Sequence, residues 1–122
     1  MLGRYTMKRG AKASELPSGV RQDTRKHTRH VLRPTPEMVH GALSGEMSWD
    51  DFAAGYRALI AARLRTERAG FDALAAQARE ADVWLGCSCP TTTQPDVRRC
   101  HTWLALEVMR ETYPDLDVRF PE

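Results

Sequence analysis

Val83-Trp84-Leu85-Gly86-Cys87-Ser88-Cys89-Pro90, followed by Cys100-His101-Thr102-Trp103-Leu104-Ala105-Leu106, is the stretch on which the fold turns. An apolar run as short as Val83–Cys87, bounded by turn residues, predicts a strand buried on both faces. Ser88 to Pro95 is a loop of small polar residues that includes Thr91-Thr92-Thr93. Asp96 is placed to cap a helix over 97–112, whose apolar residues run from Cys100 through Trp103, Leu104 and Val108 to Met109. Tyr113-Pro114 stops that helix, because the residue before a proline is pushed out of the helical region. Asp117-Val118-Arg119-Phe120 makes a short final strand. Strand, helix and strand at this spacing form a βαβ unit, which is expected to be right-handed.

Upstream, the clearest periodicity is Trp49, Phe52, Ala53, Tyr56, Leu59, Ile60 and Leu64, an apolar stripe at three- and four-residue spacing. Ser48 is its N-cap, and Asp50 and Asp51 suit the positive end of the helix dipole. A second helix runs from about Glu67 or Gly70 to Arg79 with Phe71, Leu74, Ala75 and Ala78 inward, any break between the two lying near Gly70. A shorter one opens at Pro34 or Thr35 and stops at Gly45. Leu2 to Met7 is a candidate first strand, whereas Gly10 to Arg33 lacks periodicity and is expected to be an irregular excursion.

Charge divides the chain in the same region. Residues 1–33 carry nine basic and two acidic side chains, net +7, and the remainder is −5. This sets a basic, partly irregular N-terminal segment, 1–33, beside an α/β domain, 34–122. The basic segment suits nucleic acid, a phosphorylated ligand or an acidic partner. It holds only one aromatic residue, Tyr5, which argues against a base-stacking surface. No apolar run reaches membrane-spanning length and the first residues lack a signal-peptide core, so no membrane partner and a cytoplasmic location are expected. In that setting clustered cysteines stay reduced, and an odd count of three cannot pair fully within the chain.

The chemistry therefore concentrates where the Val83–Cys87 strand ends and the next helix starts, the edge at which open α/β sheets bind ligands. Cys100 is the candidate nucleophile and His101 its candidate acid or base, with Arg98, Arg99 and the helix start favouring a thiolate. Cys87, Cys89, Thr91, Thr92, Thr93, Arg98 and Arg99 are candidate ligand-binding residues for an anion or nucleotide-type molecule such as a phosphorylated small molecule. Cys87, Cys89, Cys100 and His101 also offer the four donor types of a zinc site. Their spacing departs from the usual knuckle, so no metal is assigned. Buried cysteines that merely pack a strand on a helix are the structural alternative. An interaction module working through the basic segment, with nucleic acid or protein as partner, is the functional one.

Three features together resemble the domain-of-unknown-function 488 family. They are Trp49-Asp50-Asp51-Phe52 through Tyr56 and Leu59, the strand end Leu85-Gly86-Cys87, and Cys100-His101 opening a helix. The resemblance spans roughly Arg33 to Met109. It implies a small Rossmann-like, three-layer α/β domain with a short parallel sheet and helices packed on it. It does not imply an activity. Cys87 matches the family's strand cysteine, and Cys100 and His101 its helix-start pair. Two positions depart: Cys89 stands where the family often has an acidic residue, and Thr102 where it has an arginine after Cys-His.

Overall fold

Three short strands that pair in parallel organise the chain. The computed structural model describes residues 1–121. Strands β1 (Leu2–Thr6), β2 (Val20–Asp23) and β3 (Val83–Cys87) form a sheet in the order β1-β3-β2. The central strand is the apolar run singled out above, flanked by Leu2↔Val83 through Thr6↔Cys87 on one side and Val20↔Val83 through Asp23↔Gly86 on the other. Four helices complete the small α/β domain expected from the sequence: α1 (Pro36–Ser44), α2 (Trp49–Thr66), α3 (Arg68–Glu80) and α4 (His101–Thr112). "Rossmann-like" describes this arrangement only loosely.

Residues 1–33, set apart by charge, are woven into the sheet. β1 forms as anticipated, but Val20–Asp23, expected within an irregular excursion, forms β2. That strand carries only one apolar residue, Val20, so period-2 patterning could not reveal it. Its ladder to β3 holds it in place. At the other end, the final strand expected over 117–120 shrinks to one parallel bridge, Leu2↔Val118, framed by Leu2 N–H donating to Asp117 O and Arg119 N–H to Leu2 O.

The helix ends follow their capping chemistry. Thr35 accepts from Met38 N–H to open α1, Ser48 accepts from Asp51 N–H to open α2, and Gly45 closes α1 with φ +81°. The break between α2 and α3 falls at Glu67, the earlier of the two expected helix starts, and not near Gly70. The helix expected over 97–112 is also divided. Asp96 caps only a 3-10 turn, Val97–Arg99, and α4 begins afresh with Cys100 as its N-cap.

The core lies between β1–β3 and α4, with α2 packed on α4. Leu2, Leu85, Ile60, Phe71 and Leu106 are fully buried there, and each such side chain contributes on the order of 1.5–3 kcal/mol. Tyr56, also fully buried, donates its hydroxyl to Leu32 O at 2.7 Å. Arg63 donates to Val31 O at 2.8 Å and Arg33 O at 2.6 Å. These two α2 side chains fasten the irregular segment that links β2 to α1. On the other face of the sheet Trp84 is partly exposed, not buried on both sides as expected. Its indole N–H donates to Ser18 O at 2.8 Å. Glycine is required opposite the rings on that face: a Cβ on Gly86 would lie 2.7 Å from the Tyr5 ring, and one on Gly3 2.8 Å from Trp84.

Candidate functional site: three thiols and an arginine at the sheet edge

All three cysteines meet at the C-terminal edge of the sheet, their sulfurs within 4.8 Å of one another. Cys87 ends the central strand, Cys89 follows in the loop, and Cys100 caps α4. None is in a disulfide; Cys87 and Cys100 are buried and Cys89 is partly exposed. Cys87 Sγ lies 2.9 Å from Cys100 Sγ. The charge that faces this pair comes from a residue outside the sequence-based set. Arg4, in β1, donates Nη2–H to Cys87 Sγ at 3.2 Å and to Cys89 O. Its Nε–H goes to Thr102 Oγ1 at 3.0 Å and its Nη1–H to Thr6 Oγ1 at 3.1 Å. Thr6 in turn donates to Cys89 O at 2.8 Å. The Thr102 hydroxyl is also 3.1 Å from Cys100 Sγ.

Strand geometry explains the arginine. Leu2, Arg4 and Thr6 alternate onto one face of β1, and their register partners Val83, Leu85 and Cys87 onto the same face of β3. A cation on an otherwise apolar strand face needs a partner, and the strand ends beside a thiol. The guanidinium that the family resemblance places after Cys-His is supplied here from another strand, and it bonds to the threonine standing in the arginine's place.

The electrostatics single out Cys87. Hydrogen bonding from Cys100 and then Cys89 holds the Cys87 thiol far below the usual cysteine range against the opposing effect of burial, with smaller electrostatic contributions from His101 and then Arg4. Cys100 is pushed well up, because its proton serves Cys87 and because it is buried. In Cys89, bonding to Cys100 lowers the pKa, but Cys87 and burial outweigh it and the net shift is upward. These directions make Cys87 the thiol of the three that gives up its proton most readily.

His101 faces elsewhere. Its Nε2 lies 2.8 Å from Thr24 Oγ1 and 3.1 Å from Thr24 O. The Thr24 hydroxyl donates to Gly86 O at 3.0 Å, and a carbonyl only accepts, so Nε2 carries the proton and bonds to both Thr24 oxygens. Burial pushes this imidazole below its ordinary pKa, leaving it neutral. Among the described residues no hydrogen bond joins it to a thiol, although it adjoins Cys100 in sequence. It clamps the end of β2 to the start of α4. The four-donor zinc set is therefore not assembled: three thiols converge, and the imidazole nitrogen is engaged by Thr24.

The remaining sequence-based residues lie on the surface. Thr91, Thr92 and Thr93 are exposed, and the loop closes on itself through Thr91 N–H to Gln94 O at 2.9 Å and Thr91 Oγ1 to Thr93 Oγ1 at 3.1 Å. Arg98 pairs with Asp96 at 3.2 Å, and Arg99 is exposed. Nothing in the sequence marked a role for the partly buried Arg4 or the buried Thr24, and the buried Thr102 stood out only as a departure from the family pattern; the one available signal was Arg4's parity with Leu2 on a strand. His30 is partly buried: Leu32 N–H donates to its Nδ1 at 3.1 Å and its Nε2–H donates to Gln22 Oε1 at 2.7 Å. Burial brings its pKa down to about 4.

Two hollows accompany these features. One, of about 200 Å³, is lined by Tyr5, Thr6, Lys8, Glu15 and Leu16 and so shares Thr6 with the thiol cluster. A larger one, about 570 Å³, lies between α1 and Met47 and contains no thiol. No helix among the described residues is long and apolar enough to cross a membrane.

Residues 6–113 match the family model DUF488-N3a, described as the active DUF488-N3 subclade. No curated protein and no solved structure matches the chain. The family match covers β3, the cysteine loop and α4 in full, and on this basis the chain belongs to the DUF488 family.

Proposed function

We propose that this protein is a thiol-dependent enzyme acting on an anionic small molecule, phosphorylated or nucleotide-like, at the C-terminal edge of its sheet. The observation that carries the proposal is Cys87 Sγ held between the Arg4 guanidinium at 3.2 Å and Cys100 Sγ at 2.9 Å, at the end of the central parallel strand. The sequence pointed to Cys100 as nucleophile. The geometry favours Cys87 for that role, with Cys100 as the thiol that donates to it. His101 serves as a neutral clamp. The reading takes the cysteines as reduced, as they are in a cytoplasmic setting.

Support for an anionic ligand comes from where the chain puts its cations. Lys8 and Arg9 directly follow β1, Arg25 and Lys26 follow β2, and Arg98 and Arg99 precede α4, so every connection leaving this edge is basic. Arg25 is compensated by Asp23 at 2.8 Å and Arg98 by Asp96, whereas Lys8, Arg9 and Lys26 are exposed with no salt bridge among the described residues. The subclade's description as active accords with a working site. Calorimetric titration with inorganic phosphate and with nucleoside monophosphates tests the ligand class. Saturable binding, weakened by added salt and by Lys8→Ala with Arg9→Ala, is expected. Absence of saturable binding to any of these anions would remove it.

A further inference from the structure

Beyond turnover of an anionic ligand, the thiol cluster is built as a two-electron couple. We propose that Cys87 and Cys100 reduce small hydroperoxides, Cys87 being the sulfur oxidised and Cys100 the thiol that resolves it. This rests on the reading of Cys87 as a thiolate and adds a substrate class to the same site.

Geometry carries the argument. The two sulfurs lie 2.9 Å apart while free, and closing to a disulfide of about 2.05 Å asks each to move by less than half an ångström. Cys87 and Cys100 are each 2% exposed, which favours a small oxidant such as hydrogen peroxide at this pair. The Arg4 Nη2–H aimed at Cys87, and the Thr102 hydroxyl 3.8 Å from that sulfur, are placed to polarise a peroxide oxygen as the O–O bond breaks. Cys89 is the partly exposed third thiol, through which an external dithiol gains access to the pair.

The steps balance. The Cys87 thiolate attacks one peroxide oxygen; an S–O bond forms, the O–O bond breaks, and the departing hydroxide takes a proton from solvent, where the Cys87 proton had gone, to leave as water. Cys87 is now a sulfenic acid. The Cys100 sulfur then attacks the Cys87 sulfur; the S–S bond forms, the S–O bond breaks, and hydroxide leaves with the proton of the Cys100 thiol as a second water. Two thiols have been oxidised and one peroxide reduced by two electrons. A dithiol reductant restores the pair by exchange.

The test is intact-mass analysis of the full chain after graded hydrogen peroxide, with alkylation of the remaining thiols. The expected product has lost two hydrogens in the parent and still in Cys89→Ser, with one cysteine left alkylatable in the parent and none in the variant. Cys100→Ser should instead stop at a Cys87 sulfenic acid trapped by dimedone. Dependence of closure on Cys89, a covalent dimer, or three thiols left alkylatable would each overturn the couple. Ultraviolet titration of the thiolate is run alongside. If Cys87 titrates as an ordinary cysteine, the thiolate reading falls; if it is ionised and no disulfide closes, only the couple falls.

Discussion

Replacing Arg4 by methionine should raise the pKa of Cys87 by one to two units. Opposite unit charges about 4 Å apart attract by about 4 kcal/mol at an effective dielectric near 20. Arg4 Nη2 is 3.2 Å from the sulfur with the charge spread over the guanidinium, so that figure is a fair ceiling. Arg4 is only partly buried, and solvent screening brings the effect to about 1.5–3 kcal/mol, each pKa unit being about 1.4 kcal/mol. Methionine keeps the length and the apolar stem that packs on β1 but removes every donor. Arg4→Lys keeps the charge, loses the fork to Thr6, Thr102 and Cys87, and should fall between the two. The assay is the ultraviolet absorbance of the thiolate against pH, with the same curve for Cys87→Ser subtracted so that Cys87 alone is followed. Circular dichroism on each variant establishes that the fold is retained. An unchanged Cys87 titration in folded Arg4→Met would refute the reasoning, because the proton's affinity would then owe nothing to the cation.

Two further outcomes follow from buried polar groups. His30 and His101 are neutral in the fold, with pKa values below the ordinary 6.5, so the unfolded chain binds their protons first as pH falls. Stability should therefore decline from about pH 6.5 toward 4, by up to about 1.4 kcal/mol per pH unit for each imidazole, and urea midpoints that stay level over this range would contradict it. Tyr56→Phe removes the donor to Leu32 O and leaves that carbonyl unsatisfied in the core. A loss of about 1–3 kcal/mol at unchanged denaturant slope is expected, and a loss below a few tenths would mean that the bond does not fix the segment before α1.

Much of the fold was legible because it is written locally. The α2 stripe from Trp49 to Leu64, the Ser48 cap, and the bounded apolar run Val83–Cys87 each carry their own period or punctuation, and each formed where expected. What stayed hidden depends on partners far along the chain. β2 is polar and takes its conformation from its ladder to β3, about 60 residues on, which no window of sequence contains. The start of α4 moved from 97 to 101 because Asp96 satisfies Arg98 N–H in a 3-10 turn of its own. That shift changes the chemistry, since it makes Cys100 the cap residue rather than a residue at the end of the first turn.

The same distinction governs the site. The cysteines and the histidine were visible as residue types, but their roles were set by contacts from β1 and β2, elements whose side chains gave no sign of meeting them. Thr24 draws His101 away from the sulfurs, and Arg4 comes in from a position 83 residues before Cys87. At position 89, where the family resemblance implies an acidic residue, Arg4 Nη2 bonds to the backbone oxygen of the cysteine. With cysteine there instead, the sulfur that this Nη2 reaches is that of Cys87. Both departures from the family pattern, Cys89 and Thr102, touch Arg4, one through its backbone carbonyl and the other through its hydroxyl. Cys89→Glu should accordingly compete for Arg4 and raise the Cys87 pKa much as Arg4→Met does. A Cys87 titration unmoved by the new carboxylate would break this link between the two positions.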